Sequence, residues 1–333
     1  MQTVALACNA MATRFEIVLH GNDEVRLRAA GEEALEEIGR LEAQLSFYRP
    51  NSELSRLNAR AAHGPVRVEP GLFRLLQSAQ RLNEETNGAF DITVAPLMRC
   101  WGFVNDTGQL PDPDELAEAR ANVGMHLMKF DADEFTIRFS REGVMLDLGA
   151  IGKGYALERA AELLREVGVT SALLHGGTST IYALGKPPDE ECWKVAIERP
   201  PDIVVCSAST QPITSRPPES GTQPPLAVSP LKDEALSVSA VWGKSFQAEG
   251  KTFGHVLDPR IGQPVRGALL AAVALPSAME TDALSTALLT LGTAGQEQIV
   301  KLYPGVRTLL VVEAETAERF QVQANGIAVH PLS

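Results

Sequence analysis

The stretch of sequence that decides the fold is Leu146-Asp147-Leu148-Gly149-Ala150-Ile151-Gly152-Lys153-Gly154-Tyr155. An apolar run over residues 144–148 predicts a β-strand, and the apolar spacing over residues 155–167 predicts a helix that stops before Gly168. Between the two lies a loop with three glycines and one lysine. A strand, a glycine turn and a helix N-terminus can together hold a phosphate group on free backbone N–H groups.

The spacing of these glycines matches neither of the common phosphate-binding loops. A Walker A loop needs a glycine five positions before the Gly-Lys pair and a serine or threonine after it, where this chain has Asp147 and Gly154. The dinucleotide pattern G-x-G-x-x-G also fails, because the order here is G-x-x-G-x-G. The loop is therefore either a phosphate site of another kind or a tight turn whose glycines allow close packing.

Composition argues against several classes of protein. The 333 residues carry a formal charge of −12, the sequence pI is about 5.1, and the sequence has no Lys/Arg cluster, which argues against nucleic-acid binding. Four scattered cysteines without a Cys-x-x-Cys pair argue against zinc and against a disulfide framework. The sequence shows neither a long apolar run nor a signal peptide. We therefore expect a cytoplasmic protein as the sequence stands, and an exported one only if the N-terminus is truncated.

Strands and helices are predicted to mix along the chain. Residues 1–20 read as one strand, an amphipathic helix follows Gly21-Asn22-Asp23, and residues 268–275 predict a buried strand. Eight of the 21 prolines fall between residues 200 and 230, so the segment at about 200–232 is predicted to be an inserted, extended loop. Neighbouring strands mixed with helices predict an α+β fold rather than a doubly wound parallel sheet.

Three further groups of side chains are candidates for chemistry. Asp282 and Thr286 share one predicted helix face, and their oxygens suit Mg²⁺, although Asp282 would also simply favour the dipole of its helix. His255 is predicted to lie in a short strand, as a structural hydrogen-bonding group or as an acid or base. Asp91, inside an apolar segment, is predicted either to cap a turn or to contact a ligand.

Five ordered motifs resemble one family over about residues 11–325, the bacterial FAD:protein FMN transferases, or ApbE-like flavin transferases. The motifs are Met11-Ala12-Thr13 with Ser46-Phe47-Tyr48 and Ser52-Glu53-Leu54; Gly88-Ala89-Phe90-Asp91-Ile92-Thr93 with Trp101-Gly102-Phe103; Asp147-Leu148-Gly149-Ala150-Ile151-Gly152-Lys153-Gly154-Tyr155-Ala156; His255-Val256-Leu257-Asp258-Pro259-Arg260-Ile261-Gly262-Gln263-Pro264-Val265; and Asp282-Ala283-Leu284-Ser285-Thr286.

The resemblance implies an enzyme that cleaves the pyrophosphate of FAD with Mg²⁺ and transfers FMN to a Ser or Thr hydroxyl of an acceptor protein, releasing AMP. It implies metal ligands at Asp282, Thr286 and the backbone carbonyl of Ala150, and a catalytic role for His255. Either His255 or Asp282 could take the proton of the acceptor hydroxyl. The FAD contacts that it implies are Met11, Tyr48, Ala89, Phe90, Asp91, Asp147, Lys153 and Val256, with the rings of Tyr48 and Phe90 stacking on the cofactor.

The resemblance also implies the architecture. It predicts one catalytic domain over residues 1–333, with an α+β fold of mixed, largely antiparallel sheets and packed helices in two intertwined lobes, ApbE-like or T-fold-like. One departure is the run Gly176-Gly177-Thr178-Ser179-Thr180, because many relatives have an Asp after the glycine pair.

Two other functions fit the same motifs. A Mg²⁺-dependent FAD pyrophosphatase would give FMN and AMP without labelling an acceptor protein. A non-catalytic FAD-binding protein would need neither a metal nor a base, and the presence of Asp282, Thr286 and His255 counts against it.

Overall fold

The computed structural model of the protein describes residues 1–201, 224–314 and 320–330. Helices and strands mix along the described chain, which confirms the predicted α+β class. The helices are α1 (Glu24–Leu45), α2 (Glu53–Arg60), α3 (Pro70–Glu85), α4 (Ala95–Cys100), α5 (Pro113–Ala121), α6 (Gly152–Glu166), α7 (Ala278–Leu291) and α8 (Thr293–Leu302), with a 3-10 turn at Met125–Leu127.

The strands form one large sheet and several small ones. They are β1 (Gln2–Ala10), β2 (Thr13–Gly21), β3 (Val66–Arg67), β4 (Met128–Asp131), β5 (Thr136–Phe139), β6 (Ser171–Gly176), β7 (Thr180–Gly185), β8 (Trp193–Ile197), β9 (Ala227–Leu231), β10 (Glu234–Ala240), β11 (Ser245–Ala248), β12 (Lys251–Gly254), β13 (Leu257–Asp258), β14 (Gln263–Pro264), β15 (Ala268–Leu275), β16 (Arg307–Glu313), β17 (Phe320–Asn325) and β18 (Ala328–Val329).

The large sheet has eight strands in the order β1-β2-β6-β7-β10-β15-β16-β17. Every neighbouring pair in it is antiparallel, as the resemblance predicts. Helices α1, α6 and α7 pack together on one face of this sheet. The three-stranded sheet β18-β9-β8 packs on the other face.

The position of strand β15 in the sheet explains why its sequence is apolar throughout. All eight of its residues are buried. Ala271 and Val273 face the core between the sheet and the helices, whereas Leu270 and Ala272 face the core under the three-stranded sheet. A strand with both faces covered loses the usual alternation of apolar and polar residues. None of the helices in the described ranges is long and apolar enough to cross a membrane.

The first twenty residues form a hairpin, so the prediction of one strand over residues 1–20 is wrong. Strands β1 and β2 pair from Gln2 with Gly21 to Ala10 with Thr13. The two residues of the turn, Met11 and Ala12, have φ values of 50° and 57°. Two-residue hairpin turns of this kind usually contain Gly or Asn, and neither is present to mark the turn in the sequence.

Residues 144–148 do not form a strand, so the prediction of a strand there is wrong. Its backbone bonds to other parts of the chain: the Asn58 side chain exchanges hydrogen bonds of 2.8 and 3.0 Å with the backbone N–H and C=O of Leu146. The Asp147 N–H donates to the carbonyl of Ile92 at 2.7 Å. The following helix begins at Gly152, three residues earlier than predicted, and Gly168 with φ 84° follows its end as predicted.

The predicted limits of the inserted loop, about 200–232, include residues that form a strand. Residues 202–223 lie outside the described residues, but Ala227–Leu231 forms strand β9 and pairs with β8. The prediction that His255 lies in a strand is also wrong. Strand β12 ends at Gly254 and β13 begins at Leu257, so His255 lies in the bend between them.

Candidate active site

The carboxylate of Asp282 joins helix α7 to the N-terminus of helix α6. Its Oδ2 accepts the backbone N–H of Gly154 at 3.0 Å, and its Oδ1 accepts the hydroxyl of Thr180 at 3.2 Å. The side chain is 6% exposed. The first N–H groups of a helix have no partner within the helix, so Asp282 caps α6 from a neighbouring helix.

Lys153 supplies a positive charge beside this buried carboxylate. Its Nζ lies 3.7 Å from Asp282 Oδ1 and donates to the carbonyl of Gly149 at 3.2 Å. The structure therefore brings one predicted nucleotide contact, Lys153, next to one predicted metal ligand, Asp282. An ammonium group beside a buried carboxylate compensates its negative charge.

Gly154 allows helices α6 and α7 to approach closely. A Cβ on Gly154 would lie 2.1 Å from the carbonyl oxygen of Ala278 and 2.8 Å from the Cβ of Asp282. This glycine therefore serves close packing, the second of the two interpretations of the loop. Gly149 has a different role, because its N–H donates to Asp147 Oδ1 at 2.7 Å.

The oxygen atoms predicted to bind metal lie on helix α7 or just before helix α6. Thr286 lies one turn after Asp282, and its hydroxyl is 3.1 Å from Ser239 Oγ and 3.4 Å from the Asp282 carbonyl. Ala150 is half-buried and lies two residues before the start of α6. A carboxylate, a hydroxyl and a carbonyl are oxygen donors of the kind that Mg²⁺ prefers.

The Asp282 carboxylate has lone pairs left over for a cation. A carboxylate has about four lone-pair sites, and the hydrogen bonds from Gly154 and Thr180 occupy two at Asp282. In the described ranges, no group of three or more His, Cys, Asp or Glu side chains is placed to hold a metal ion. A metal at Asp282 would therefore be completed by other oxygen donors, and a carboxylate together with hydroxyl and carbonyl oxygens is a donor set that fits Mg²⁺.

Asp147, Tyr48 and Lys244 interact with one another electrostatically. Burial raises the pKa of the Asp147 carboxyl, while the Gly149 N–H and the ammonium groups of Lys153 and Lys244 act to lower it. Burial and then the Asp147 carboxylate raise the pKa of Tyr48, whose side chain remains largely exposed. Lys244 also pairs with Asp106, with 2.8 Å between Nζ and Oδ1.

His255 is held in one orientation by the backbone of Lys244. Its Nδ1 lies 3.1 Å from the Lys244 carbonyl, which also accepts the His255 N–H at 3.0 Å. Because a carbonyl only accepts hydrogen bonds, the proton of the neutral ring is on Nδ1 and Nε2 is left as a base. Burial lowers the pKa of His255, the hydrogen bond to the Lys244 carbonyl acts to raise it, and the nearby ammonium groups of Lys244 and Lys153 act to lower it further.

A turn rich in hydrogen bonds follows His255 and supports it. Asp258 binds Arg260 through two bonds of 2.8 and 2.7 Å, and Gly262, with φ 72°, donates its N–H to the Asp258 carbonyl. The indole N–H of Trp101 donates to the Gly262 carbonyl at 2.9 Å. Val256 is half-buried in this segment, and its carbonyl accepts the Val265 N–H at 2.9 Å.

Met11 lies at the tip of the β1–β2 hairpin, beside a cleft. Its N–H donates to Glu42 Oε1 at 3.0 Å. Glu42 also pairs with Arg49, the neighbour of Tyr48, at 2.7 Å. The cleft has a volume of about 480 Å³ and is lined by Asn9, Ala10, Ala12, Thr13, Arg14 and Glu42.

Ala89, Phe90 and Asp91 are buried, and their polar groups are largely used within the protein. Asp91 Oδ1 accepts the N–H and the hydroxyl of Thr93 at 2.7 and 2.5 Å, and Oδ2 accepts from Asn83 at 3.1 Å. Burial raises the pKa of Asp91 and these bonds oppose it. The geometry favours the turn-capping interpretation of Asp91. Phe90 is 2% exposed and Tyr48 is 63% exposed, so of the two rings predicted to stack on the cofactor Tyr48 is the accessible one.

Three residues near the site were not singled out by the sequence. Thr180 begins strand β7 and donates its hydroxyl proton to Asp282. Ser239 contacts Thr286, and Lys244 holds His255. The position of Thr180 after Gly176-Gly177 was a usable signal, whereas nothing local distinguishes Ser239 or Lys244 from other residues of their types.

The fold and this geometry define an α+β protein with a carboxylate, a hydroxyl and an ammonium group at the N-terminal end of a glycine-led helix. The model of the ApbE family matches residues 11–310, and the chain belongs to that family.

Individual relatives agree with this membership. The FAD:protein FMN transferase of Haemophilus influenzae is 29% identical over 301 residues, which cover 87% of this chain and 81% of that protein. The flavinyl transferase ApbE of Pseudomonas stutzeri has a TM-score of 0.80 at 26% identity, covering 98% of this chain and 95% of that one. The flavin transferase ApbE of Vibrio cholerae has a TM-score of 0.79 at 25% identity, covering 98% and 97%.

Proposed function

We propose that the protein is a Mg²⁺-dependent flavin transferase that cleaves the pyrophosphate of FAD and transfers FMN to a Ser or Thr hydroxyl of an acceptor protein, releasing AMP. The observation that carries the proposal is the position of Asp282. Its carboxylate is buried at the N-terminus of α6, one turn before Thr286 and 3.7 Å from the Lys153 ammonium. The relatives named FAD:protein FMN transferase support the same reaction.

Three oxygens are assigned to the metal. Asp282, Thr286 and the Ala150 carbonyl would hold Mg²⁺, which neutralises the charge that develops on phosphate oxygens as a phosphoanhydride bond breaks. Lys153 supplies a second positive charge beside the same carboxylate.

We assign to His255 the role of general base that takes the proton from the acceptor hydroxyl. The Lys244 carbonyl keeps the ring proton on Nδ1, so Nε2 can take the proton as the hydroxyl attacks the phosphorus. Its lowered pKa keeps the ring neutral near pH 7, which a general base requires. Asp282 is the second residue assigned a catalytic role, as the metal carboxylate.

The nucleotide contacts remain proposals. Tyr48 is the candidate for ring stacking, and Met11 would contact the nucleotide from the hairpin tip beside the cleft. Asp147 and Val256 would contact it from the segments that precede α6 and follow His255. Ala89, Phe90 and Asp91 would contribute through their backbone or by shaping the wall, because their side chains are buried. We also propose one catalytic domain over residues 1–333.

The test is incubation with FAD, Mg²⁺ and a candidate acceptor protein, followed by mass measurement of the acceptor. A gain of one FMN supports the transferase. Release of AMP without such a gain identifies the FAD pyrophosphatase instead. Neither product at any Mg²⁺ concentration would leave only FAD binding and overturn the proposal.

Replacing Asp282 tests the metal assignment. We expect Asp282→Ala to abolish Mg²⁺-dependent AMP release, because it removes the only charged oxygen donor assigned to the metal. Asp23→Ala is the matched control, since Asp23 also caps a helix, with 3.1 Å between its Oδ1 and the Arg26 N–H. That variant should lose only about 1 kcal/mol of stability. Undiminished AMP release by Asp282→Ala would contradict the metal assignment.

A further inference from the structure

A set of hydroxyl groups connects strand β10 to helix α7 beside the proposed metal ligands. Ser239 Oγ lies 2.8 Å from Ser285 Oγ and 3.1 Å from Thr286 Oγ1. Two residues earlier on the same strand, Ser237 Oγ bonds Thr281 Oγ1 at 2.9 Å. Each hydroxyl carries one proton, so the direction of each bond follows from which partner has another acceptor.

The hydrogen bond from Ser285 to the Asp282 carbonyl fixes which hydroxyl donates in the bonds of Ser239. Ser285 Oγ lies 3.0 Å from the backbone carbonyl of Asp282, which can only accept, so Ser285 donates its proton there. Ser239 then donates to Ser285. The remaining lone pairs of Ser239 are left to accept the hydroxyl proton of Thr286.

We propose that Ser239 is a positioning residue for magnesium binding: it accepts the hydroxyl proton of Thr286 and so turns the lone pairs of Thr286 toward the metal. A hydroxyl binds a cation through its oxygen lone pairs, so its proton has to point elsewhere. The alternative acceptor for Thr286, the Asp282 carbonyl, is farther away, at 3.4 Å against 3.1 Å for Ser239. The proposal rests on the proposed function, because Thr286 is a metal ligand only if that assignment holds.

Ser239 is well held for such a role. Its strand β10 lies between β7 and β15 in the large sheet, with Ser239 opposite Ala271 of β15. The preceding residue, Val238, donates its N–H to the carbonyl of Ser179 at 2.7 Å. Partners of metal ligands that sit on rigid elements fix ligand orientation, and removing one typically costs about 10- to 100-fold in metal affinity.

The test compares Ser239→Ala with Ser237→Ala. Both substitutions remove one serine hydroxyl that links β10 to α7, but only the first contacts Thr286. Binding of Mn²⁺ to the full-length protein, followed by electron paramagnetic resonance, is the readout, with thermal unfolding measured in parallel. We expect Ser239→Ala to raise the Kd for Mn²⁺ about tenfold and Ser237→Ala to leave it unchanged. Equal Kd values for both variants and the wild type would overturn the proposal.

A double-mutant cycle separates positioning from general damage to the fold. If Ser239 acts through Thr286, adding Ser239→Ala to Thr286→Ala should not weaken Mn²⁺ binding further. A further tenfold loss in the double variant would show that Ser239 acts independently of Thr286 and would overturn the proposal. Mn²⁺ binding does not depend on FMN transfer, so a wild-type protein that binds Mn²⁺ but labels no acceptor would contradict only the proposed function.

Discussion

His255 has two properties that bear on how the activity should depend on pH. The Lys244 carbonyl, 3.1 Å from Nδ1, fixes the tautomer that exposes the Nε2 lone pair. Burial lowers the pKa below the ordinary value for histidine of about 6.5. Above the lowered pKa the ring is neutral and can accept a proton, whereas below it the ring is charged and cannot.

We therefore expect the rate of FMN transfer to be steady near pH 7 and to fall on the acid side of the ordinary histidine pKa. The lowered pKa also means that the unfolded chain binds this proton more readily than the folded protein, so stability falls as the pH is lowered. Thermal unfolding therefore has to be followed at each pH. The His255→Asn variant should transfer FMN about 10²- to 10⁴-fold more slowly, and its rate should no longer fall on the acid side. The same fall in rate at acid pH in the variant would assign the titration to another group.

The contact between helices α6 and α7 depends on a residue without a side chain. Gly154 faces the carbonyl of Ala278 and the Cβ of Asp282, and its own N–H is bound by the Asp282 carboxylate. Any side chain at this position would push the two helices apart. The same movement would carry Asp282 away from the α6 N-terminus, so packing and site geometry are coupled through one glycine.

We expect Gly154→Ala to lower the stability by about 1–3 kcal/mol or more through overpacking, and to weaken Mg²⁺-dependent AMP release. Gly39→Ala in α1 is the control, because a Cβ there meets nothing within 4 Å. Replacing a helical glycine where there is room should stabilise the protein by about 0.5–1 kcal/mol. Chemical denaturation and AMP release measure both effects, and a Gly154→Ala protein as stable and active as wild type would refute the coupling.

Elements whose signals are local could be predicted from the sequence. The spacing of Asp282 and Thr286 predicts a shared helix face, and the structure has helix α7 from Ala278 to Leu291 with Ser277 as its cap. Strand β15 was predicted at its observed limits, 268–275. Residues 144–148 could not be placed correctly, because Asn58, 88 residues away, supplies the partners of Leu146. A periodic pattern does not show which distant side chain will form hydrogen bonds with a given backbone N–H or C=O group.

The candidate site divides in the same way. The face shared by Asp282 and Thr286 follows from their spacing of four, but their partners Thr180 and Ser239 lie on strands β7 and β10, far away in sequence. The role of Asp282 as a cap for α6 depends on how the two helices pack. The resemblance to known flavin transferases supplied the site residues, and the geometry adds the bonds that orient them.

The large sheet separates two cores with different relations to the site. Helices α6 and α7, which carry Lys153, Asp282 and Thr286, belong to the core on one face. The core on the other face lies between the sheet and strands β8 and β9, and it includes Ile197. Stability should therefore depend on both cores, and the geometry of the site mainly on the first.

We expect Ile197→Ala and Leu284→Ala to lose similar stability but to differ in metal affinity. Both side chains are at most 1% exposed, and truncating such a residue costs about 2–5 kcal/mol. Leu284 lies on α7 between Asp282 and Thr286, so the cavity left there lets the two proposed ligands shift, whereas Ile197 lies across the sheet. Denaturant unfolding and the Kd for Mn²⁺, measured well below both unfolding transitions, test this separation. An equal loss of metal affinity in both variants would mean that the sheet transmits disturbance from one core to the other.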